Sequence, residues 1–480
     1  MELDAEQCLA ALRARDRRFD GRFFVGVSST GIYCRPVCAV RTPRREHCHF
    51  FASAAAAEKA GFRPCLRCRP ELAPGWGLPD LPGRLAQAAA ALIEQGFLDH
   101  ADTAQLARRI GVSTRHLRRL FRAEYGVSML ELAQTQRLLL AKQCLTQTAL
   151  PVSEVALACG FGSQRRFHAV LRQRWGLRAQ QIRAGAATPR HDGLDLALAY
   201  RPPLAWQAWL ELAAAQAVPG VERVDAARYA RTLRLRGRDG SCSGWIMAWD
   251  DAPRCLLRVR ASASLAPALP ALLARLRRMF DLGASPQMVD ARLGDLARGM
   301  PGLRIPGHPD GFETLVRALA LRQRGGALLL QRLVALCAAP NAVPAAPAGL
   351  QACFPLASEV AGRGLDELRA AGFSRHDAGA LLHAARGLQA GDFELQPWSP
   401  LEATLAALRG LPGIDEPVLQ RVAMQALGWP DAFAASDAGL QRAAACADAA
   451  ALDARAEAWR PWRAYAAMHL WRRQAREHDT

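Results

Sequence analysis

From Leu85 to Ala184 apolar residues recur at spacings of three and four, which predicts helices, and Gly111, Gly126, Gly160 and Gly176 punctuate them. Short helices joined by tight turns follow from that rhythm. The segment 228–262 changes period, its apolar and polar positions alternating as in strands, after the apolar stretch LDLALAYRPPLAW at 194–206. Beyond Pro306 the helical spacing returns and holds to the end, apart from the Ala/Pro-rich connection at 338–349. Two breaks, ELAPGWGLPDLPGR at 71–84 and GAATPRHDG at 185–193, interrupt the pattern, and the first reads as a linker. The pattern divides the chain into four units ending near residues 75, 188, 303 and 480, and 480 residues exceed what one core usually serves. A multidomain α+β protein is expected.

Composition narrows the partners. With 51% hydrophobic and 22% charged residues the chain has a globular composition, and no apolar run approaches the ~18 residues of a membrane span. The first twenty residues mix acids and arginines where a secretory signal needs a basic start and an apolar stretch, so a cytoplasmic protein is expected. The formal net charge of +18 attracts polyanions, because neutralising phosphates releases condensed counterions. Lys59 and Lys142 are the only lysines, so the charge is nearly all arginine, which grips phosphate with paired hydrogen bonds. A compositional bias toward Arg and Ala accounts for part of the excess. Thirteen cysteines in a reducing compartment do not form a disulfide framework, so clustered ones point to metal or chemistry.

Four of them form two close pairs, Cys34-x3-Cys38 and Cys65-x2-Cys68. Each pair can span one edge of a zinc tetrahedron while the chain between closes the site, and such a site on its own is most often structural. His47, Cys48 and His49 lie near enough in sequence to compete as ligands. The flanks add chemistry. Phe23-Phe24-Val25-Gly26-Val27-Ser28-Ser29-Thr30-Gly31-Ile32-Tyr33-Cys34-Arg35-Pro36-Val37-Cys38 and Gly61-Phe62-Arg63-Pro64-Cys65-Leu66-Arg67-Cys68 closely resemble the methylphosphotriester-accepting domain of the Ada family, over roughly the first 70 residues. The resemblance implies one Zn2+, structural and activating, held by Cys34, Cys38, Cys65 and Cys68, with Cys34 as the methyl acceptor and Arg35 beside the DNA. Zinc would keep Cys34 a thiolate, and four thiolates on a dication leave a net charge of about −2 that makes sulfur electron-rich.

In the segment Asp102–Ser113 a short helix ends at Gly111, and Ser113 can cap the next, Thr114 to Ala123, which displays Arg115, His116, Arg118, Arg119 and Arg122. A second copy runs from Val152 through Gly160-Phe161-Gly162 to Ser163, capping a helix with Gln164, Arg165, Arg166, His168 and Arg172. Two such helices one DNA turn apart could enter successive major grooves. The duplication resembles the AraC-type regulator domain, which implies promoter DNA and RNA polymerase as partners and DNA contacts from Arg115, His116, Arg119, Gln164, Arg165 and Arg166. Cys144 and Cys159 read as ordinary buried residues.

From Leu194 onward the chain resembles AlkA-type 3-methyladenine glycosylases, through Tyr200–Trp209, Arg275–Leu282, Pro301–Gly307 and Arg460–Tyr465. That family flips a damaged nucleotide out of the duplex and cuts its glycosidic bond. The resemblance assigns Asp437 to stabilising the cationic sugar, Trp471 to the base pocket, and Gly413 to the phosphate-binding turn of a helix-hairpin-helix. Asp437 could equally be a helix cap and Trp471 a packing residue. Several positions depart from the family: Asp415, Glu416 and Pro417 in the hairpin, Arg421 at a pocket aromatic, and Arg322 near the apolar wedge. Acids oppose phosphate, and Arg421 repels a cationic base. No lysine lies beyond Lys142, so a Schiff-base step cannot come from this half. Nor is there a Pro-Cys-His-Arg sequence, the mark of the O6-methylguanine acceptor domain, so direct repair of that base is not expected.

The expected architecture is a small four-cysteine zinc domain (1–75), an all-α double helix-turn-helix domain (82–188), a small α/β AlkA N-terminal-like domain (192–303) and an all-α helix-hairpin-helix glycosylase-like domain (304–480). Its expected role is DNA alkylation repair coupled to transcription, acting on damaged and promoter double-stranded DNA without a membrane. The alternative is a zinc-containing AraC-type regulator whose glycosylase-like half only binds DNA.

Overall fold

The computed structural model describes residues 4–74, 84–184, 193–237, 240–323, 325–337, 343 and 345–478. The boundaries expected near 75, 82, 188 and 192 and part of the 338–349 connection lie outside the described residues. The protein is a multidomain α+β assembly, with two sheets and helices throughout.

Near the N-terminus, helix α1 (Ala5–Ala14) is capped by Asp4, whose carboxylate accepts from the Glu6 amide at 3.0 Å. Strands β1 (Phe24–Val27), β2 (Ile32–Cys34), β3 (Cys48–Phe51) and β4 (Arg63–Pro64) form a sheet in the order β3-β1-β2-β4. Gly26 in β1 has to be glycine, since a Cβ there would lie 2.8–2.9 Å from the Phe51 and Phe62 rings. Helix α2 (Ala54–Lys59), capped by Ser53, packs across this sheet.

Seven helices follow: α3 (Arg84–Glu94), α4 (Thr103–Ile110), α5 (Thr114–Tyr125), α6 (Met129–Gln147), α7 (Val152–Ala158), α8 (Gln164–Trp175) and α9 (Ala179–Ala184). Asp102 and Gln105 form a reciprocal capping box on α4, and Gly111 ends it at φ 83°, where a side chain would be strained. Leu106, Leu117 and Phe121 are buried on the inner faces of α4 and α5, so the basic positions point outward.

The alternating segment forms most of a second, antiparallel sheet of β5 (Leu194–Ala199), β6 (Glu222–Val224), β7 (Arg228–Gly237), β8 (Gly240–Asp251) and β9 (Leu256–Ala261), ordered β5-β9-β8-β7-β6. β5 and β6 lie outside the segment whose alternation predicts strands. This sheet shares one core with α6–α9 through Leu138, Phe167, Ile246 and Val259. The edge strand β5 is met by α6: the Gln143 side chain donates to the Ala197 carbonyl at 3.2 Å, and the Ala197 amide donates to Gln147 Oε1 at 3.2 Å.

The last unit is helical as its spacing predicts, and Leu315, Leu330, Leu381 and Val422 centre the largest core. A buried four-residue charge cluster ties it to the sheet. Arg231 and Arg317 contact Glu313 at 2.8 and 2.7 Å, and Arg317 contacts Glu222 at 2.5 Å. Satisfying each buried charge with an opposite one keeps the desolvation cost bearable.

Candidate functional sites

The cysteine centre follows from strand register. β2 and β4 run parallel with Tyr33 opposite Pro64, and the Cys65 amide donates to the Tyr33 carbonyl at 3.0 Å. That register sets the Cys34 and Cys65 turns side by side, and the Sγ atoms of Cys34, Cys38, Cys65 and Cys68 all lie within 4.8 Å of one another. Ideal tetrahedral zinc with bonds of ~2.3 Å would want sulfurs about 3.8 Å apart, so the set fits one Zn2+. As free thiols the four would perturb one another: hydrogen bonding with Cys38 and Cys65 pushes Cys34 up, while Cys38 is drawn down to about 7 by its bond with Cys34. A dication that takes all four as thiolates removes that conflict. Cys48 instead donates to the Arg44 carbonyl and His47 meets Ser28, so neither joins the cluster.

Arg35, expected beside DNA, lies inside the cysteine loop. It is buried, its guanidinium paired with Asp20 and donating to the Cys68 carbonyl at 3.1 Å, while its amide donates to Cys68 Sγ at 3.4 Å. These bonds brace the cysteine loop. Arg67, one residue before Cys68, is exposed.

Two buried polar contacts join this centre to the helices, and neither left a sequence signal. Lys142 of α6 donates to the Cys65 carbonyl at 3.0 Å and to Glu71 at 2.6 Å. Glu58 of α2 accepts from Tyr33, Thr135 and Trp175 at 3.2, 2.9 and 3.2 Å. The residue before Cys34, the long helix α6 and the last residue of α8 thus meet on one carboxylate. Its burial pushes the carboxyl above its ordinary value.

On α5 the Ser113 hydroxyl accepts from the His116 amide at 3.3 Å, and Arg115 and Arg119 are exposed while His116 is half-buried against Arg119. Ser163 caps α8 in the same way at 3.2 Å, leaving Gln164, Arg165 and Arg166 exposed. Cys144 and Cys159 are buried with their sulfurs 4.0 Å apart.

In the C-terminal half Asp437 does two things. Its Oδ1 caps the helix Ala438–Ala443 by accepting from Gly439 and Leu440 at 2.7 and 3.0 Å, and its Oδ2 accepts from Trp471 Nε1 at 3.4 Å. Arg421 places its guanidinium carbon 4.4 Å from the centroid of the Trp471 ring. Both side chains line a cavity of about 110 Å³ with Trp209, His308, Gln425 and Met468. Gly413 turns at φ 91° where a Cβ would meet Ala380, as a tight hairpin demands. The start of the helix after it is capped from within. Asp415 accepts from the Val418 amide at 3.0 Å and pairs with Arg322 at 2.6 Å, and Arg322 also reaches Asp377 and the Gly413 carbonyl.

Four thiolate-forming sulfurs, two capped helix-turn-helix units and a helical unit with a tryptophan-lined cavity define a zinc-bearing DNA-binding protein with an attached base-recognition fold. Matches to family models follow the same order: the metal binding domain of Ada over residues 7–71, a helix-turn-helix domain over 106–185 and the AlkA N-terminal domain over 195–310. A probable bifunctional transcriptional activator/DNA repair enzyme AlkA of Mycobacterium tuberculosis is 35% identical over 98% of this chain and 97% of its own length. The chain belongs to that family of bifunctional activator/repair proteins. The DNA-3-methyladenine glycosylase 2 of Escherichia coli is 32% identical over 57% of this chain and 95% of its own. The bifunctional transcriptional activator/DNA repair enzyme Ada of the same organism is 32% identical over 41% of this chain and 52% of its own. A solved 3-methyladenine DNA glycosylase from Archaeoglobus fulgidus covers 58% of this chain and 98% of its own at a TM-score of 0.50 and 18% identity, a likeness of fold. Among the described residues no helix is long and apolar enough to cross a membrane.

Proposed function

We propose that this chain repairs alkylated DNA and reports the damage by activating transcription, with Cys34 accepting a methyl group from a DNA methylphosphotriester. The gathering of four sulfurs around Cys34 carries this reading. A zinc ion held there supplies charge stabilisation that keeps the sulfurs as thiolates. Cys34 sulfur forms a bond to the methyl carbon as the carbon–oxygen bond breaks, and the electron pair leaves on a phosphate diester. The product thioether has no route back, so each molecule acts once.

Methylation removes one negative charge from the cysteine centre, and the same Coulomb term that opposed the phosphates is weakened. Because Lys142 and Glu58 fasten that centre to α6 and α8, a change of affinity there is felt by the whole DNA-binding body. Arg115, His116, Arg119, Gln164, Arg165 and Arg166 are the proposed promoter contacts, Arg67 a proposed phosphate contact, and RNA polymerase the proposed protein partner in the cytoplasm. The four units serve as methyl acceptor (1–75), promoter reader (82–188), sheet support (192–303) and base-excision unit (304–480).

In the excision unit Asp437 offsets positive charge on the sugar as the glycosidic bond opens, Trp471 walls the base pocket, and Gly413 shapes the hairpin. A second reading, DNA binding with weakened excision, is favoured by the Asp415–Arg322 pair at the hairpin. The deciding experiment incubates the full chain with methylated duplex and maps added mass by peptide. One methyl on the Cys34 peptide, absent in Cys34→Ala, is the expected result; methyl on another residue, or on none, overturns the acceptor assignment.

A further inference from the structure

The cavity beside Trp471 is lined by a cation. Arg421 lies over the ring face that a positively charged base would use, in an attractive cation–π position. Among the described residues its guanidinium makes no hydrogen bond and no ion pair. The guanidinium is half-buried, its N–H groups face the solvent-filled cavity without a protein partner, and burial draws its pKa down against the opposing pull of Asp437. The neighbouring groups are already committed. His308 meets Thr314 at 3.2 Å and is held neutral by burial and by Arg317; Gln425 donates to the Pro306 carbonyl at 2.8 Å; Glu222 is shared by Arg317 and Tyr229. The Arg421 donors are therefore the uncommitted ones on this wall, available to an acceptor atom of a ligand that displaces the solvent.

We propose that the pocket selects neutral damaged bases carrying a carbonyl oxygen, and that Arg421 is the residue making the selection. This rests on the excision reading above and names its substrate class. When a neutral base leaves, the glycosidic bond breaks with its electron pair on the base nitrogen, and negative charge spreads to the carbonyl oxygen. Water adds hydroxyl at C1′ and its proton ends on the released base. Arg421 N–H groups can meet the oxygen where that charge collects. A cationic base with the same carbonyl could take the same hydrogen bonds but meets the repulsion of the guanidinium charge. At about 6 Å from the guanidinium, and an effective dielectric constant of ~20, it is disfavoured roughly 100-fold.

The test uses the full chain and two duplexes identical except for one deoxyinosine or one deoxy-N7-methylguanosine opposite cytosine, with single-turnover rates of base release. The expected result is faster release of hypoxanthine by the wild type and a shift of the rate ratio toward N7-methylguanine by roughly 100-fold in Arg421→Tyr. Arg421→Gln, close in size, should shift the ratio the same way, and Arg421→Lys should keep the wild-type preference. A wild type that prefers N7-methylguanine, or a ratio that stays put in both uncharged variants, overturns the proposal while leaving excision intact. Release of neither base by any form overturns the excision reading and the proposal with it.

Discussion

Replacing Lys142 with methionine tests how the cysteine centre is held. The Lys142 ammonium is 2.6 Å from Glu71 and 3.0 Å from the Cys65 carbonyl, and both charged side chains are 1% exposed. Removing one partner of a buried pair typically costs about 3–5 kcal/mol, because the other charge is left behind in a poor solvent. Arg69 still reaches Glu71 at 3.1 Å and is itself partly exposed, so the orphaned carboxylate keeps some compensation and about 2–4 kcal/mol is the reasoned range. Cys65 sits at the foot of this contact, so the lost energy should appear as easier opening of the metal loop. At 1.36 kcal/mol per factor of ten, zinc should pass to an excess of a chromogenic chelator about 30-fold to 1000-fold faster than from the wild type. Adding Glu71→Gln removes the stranded charge and should recover most of the difference. Release from Lys142→Met within threefold of wild type, or no recovery in the double variant, would show that the pair does not hold the centre.

Glu58 makes a pH-dependent prediction. Its folded pKa is raised by burial, so its stabilising share is complete below the unfolded value near ~4.3 and is lost as pH climbs through the folded one. Glu58→Gln, uncharged throughout, should gain in Tm relative to wild type as pH rises above the unfolded value of ~4.3; a gap that stays constant as pH rises from there counts against the assignment. Asp437→Asn should slow base release by about 100-fold or more while duplex binding stays, and an unchanged rate would remove Asp437 from the chemistry. Asp415→Gly, which frees the Val418 amide and removes an acid from the hairpin, should tighten duplex binding several-fold with a steeper salt dependence; equal affinity at low salt would mean the hairpin does not face phosphate.

What the sequence disclosed and what it hid have physical causes. The Cys34, Cys38, Cys65 and Cys68 spacing, the Ser113 and Ser163 caps and the helical period of the last half are local signals, and local signals survive in one dimension. Arg35 shows the limit: its pairing with Asp20, fifteen residues earlier, which draws the guanidinium into the cysteine loop, leaves no pattern in one dimension. Lys142 and Glu58 were silent because their partners, Glu71, Cys65 and Trp175, lie 71 to 117 residues away. β6 was missed because three residues cannot establish a period. For the hairpin the departures at Asp415 and Arg322 were visible separately, and only the folded chain pairs them.

The glutamines of α6 that meet β5 carry a practical consequence for anyone who cuts this chain apart. An outermost strand stripped of Gln143 and Gln147 would present bare amide and carbonyl groups to solvent, and such rims recruit other copies of themselves. Excised at residue 193, the glycosylase-like half should associate through that rim in solution, and its behaviour would then describe a self-paired fragment instead of the intact molecule.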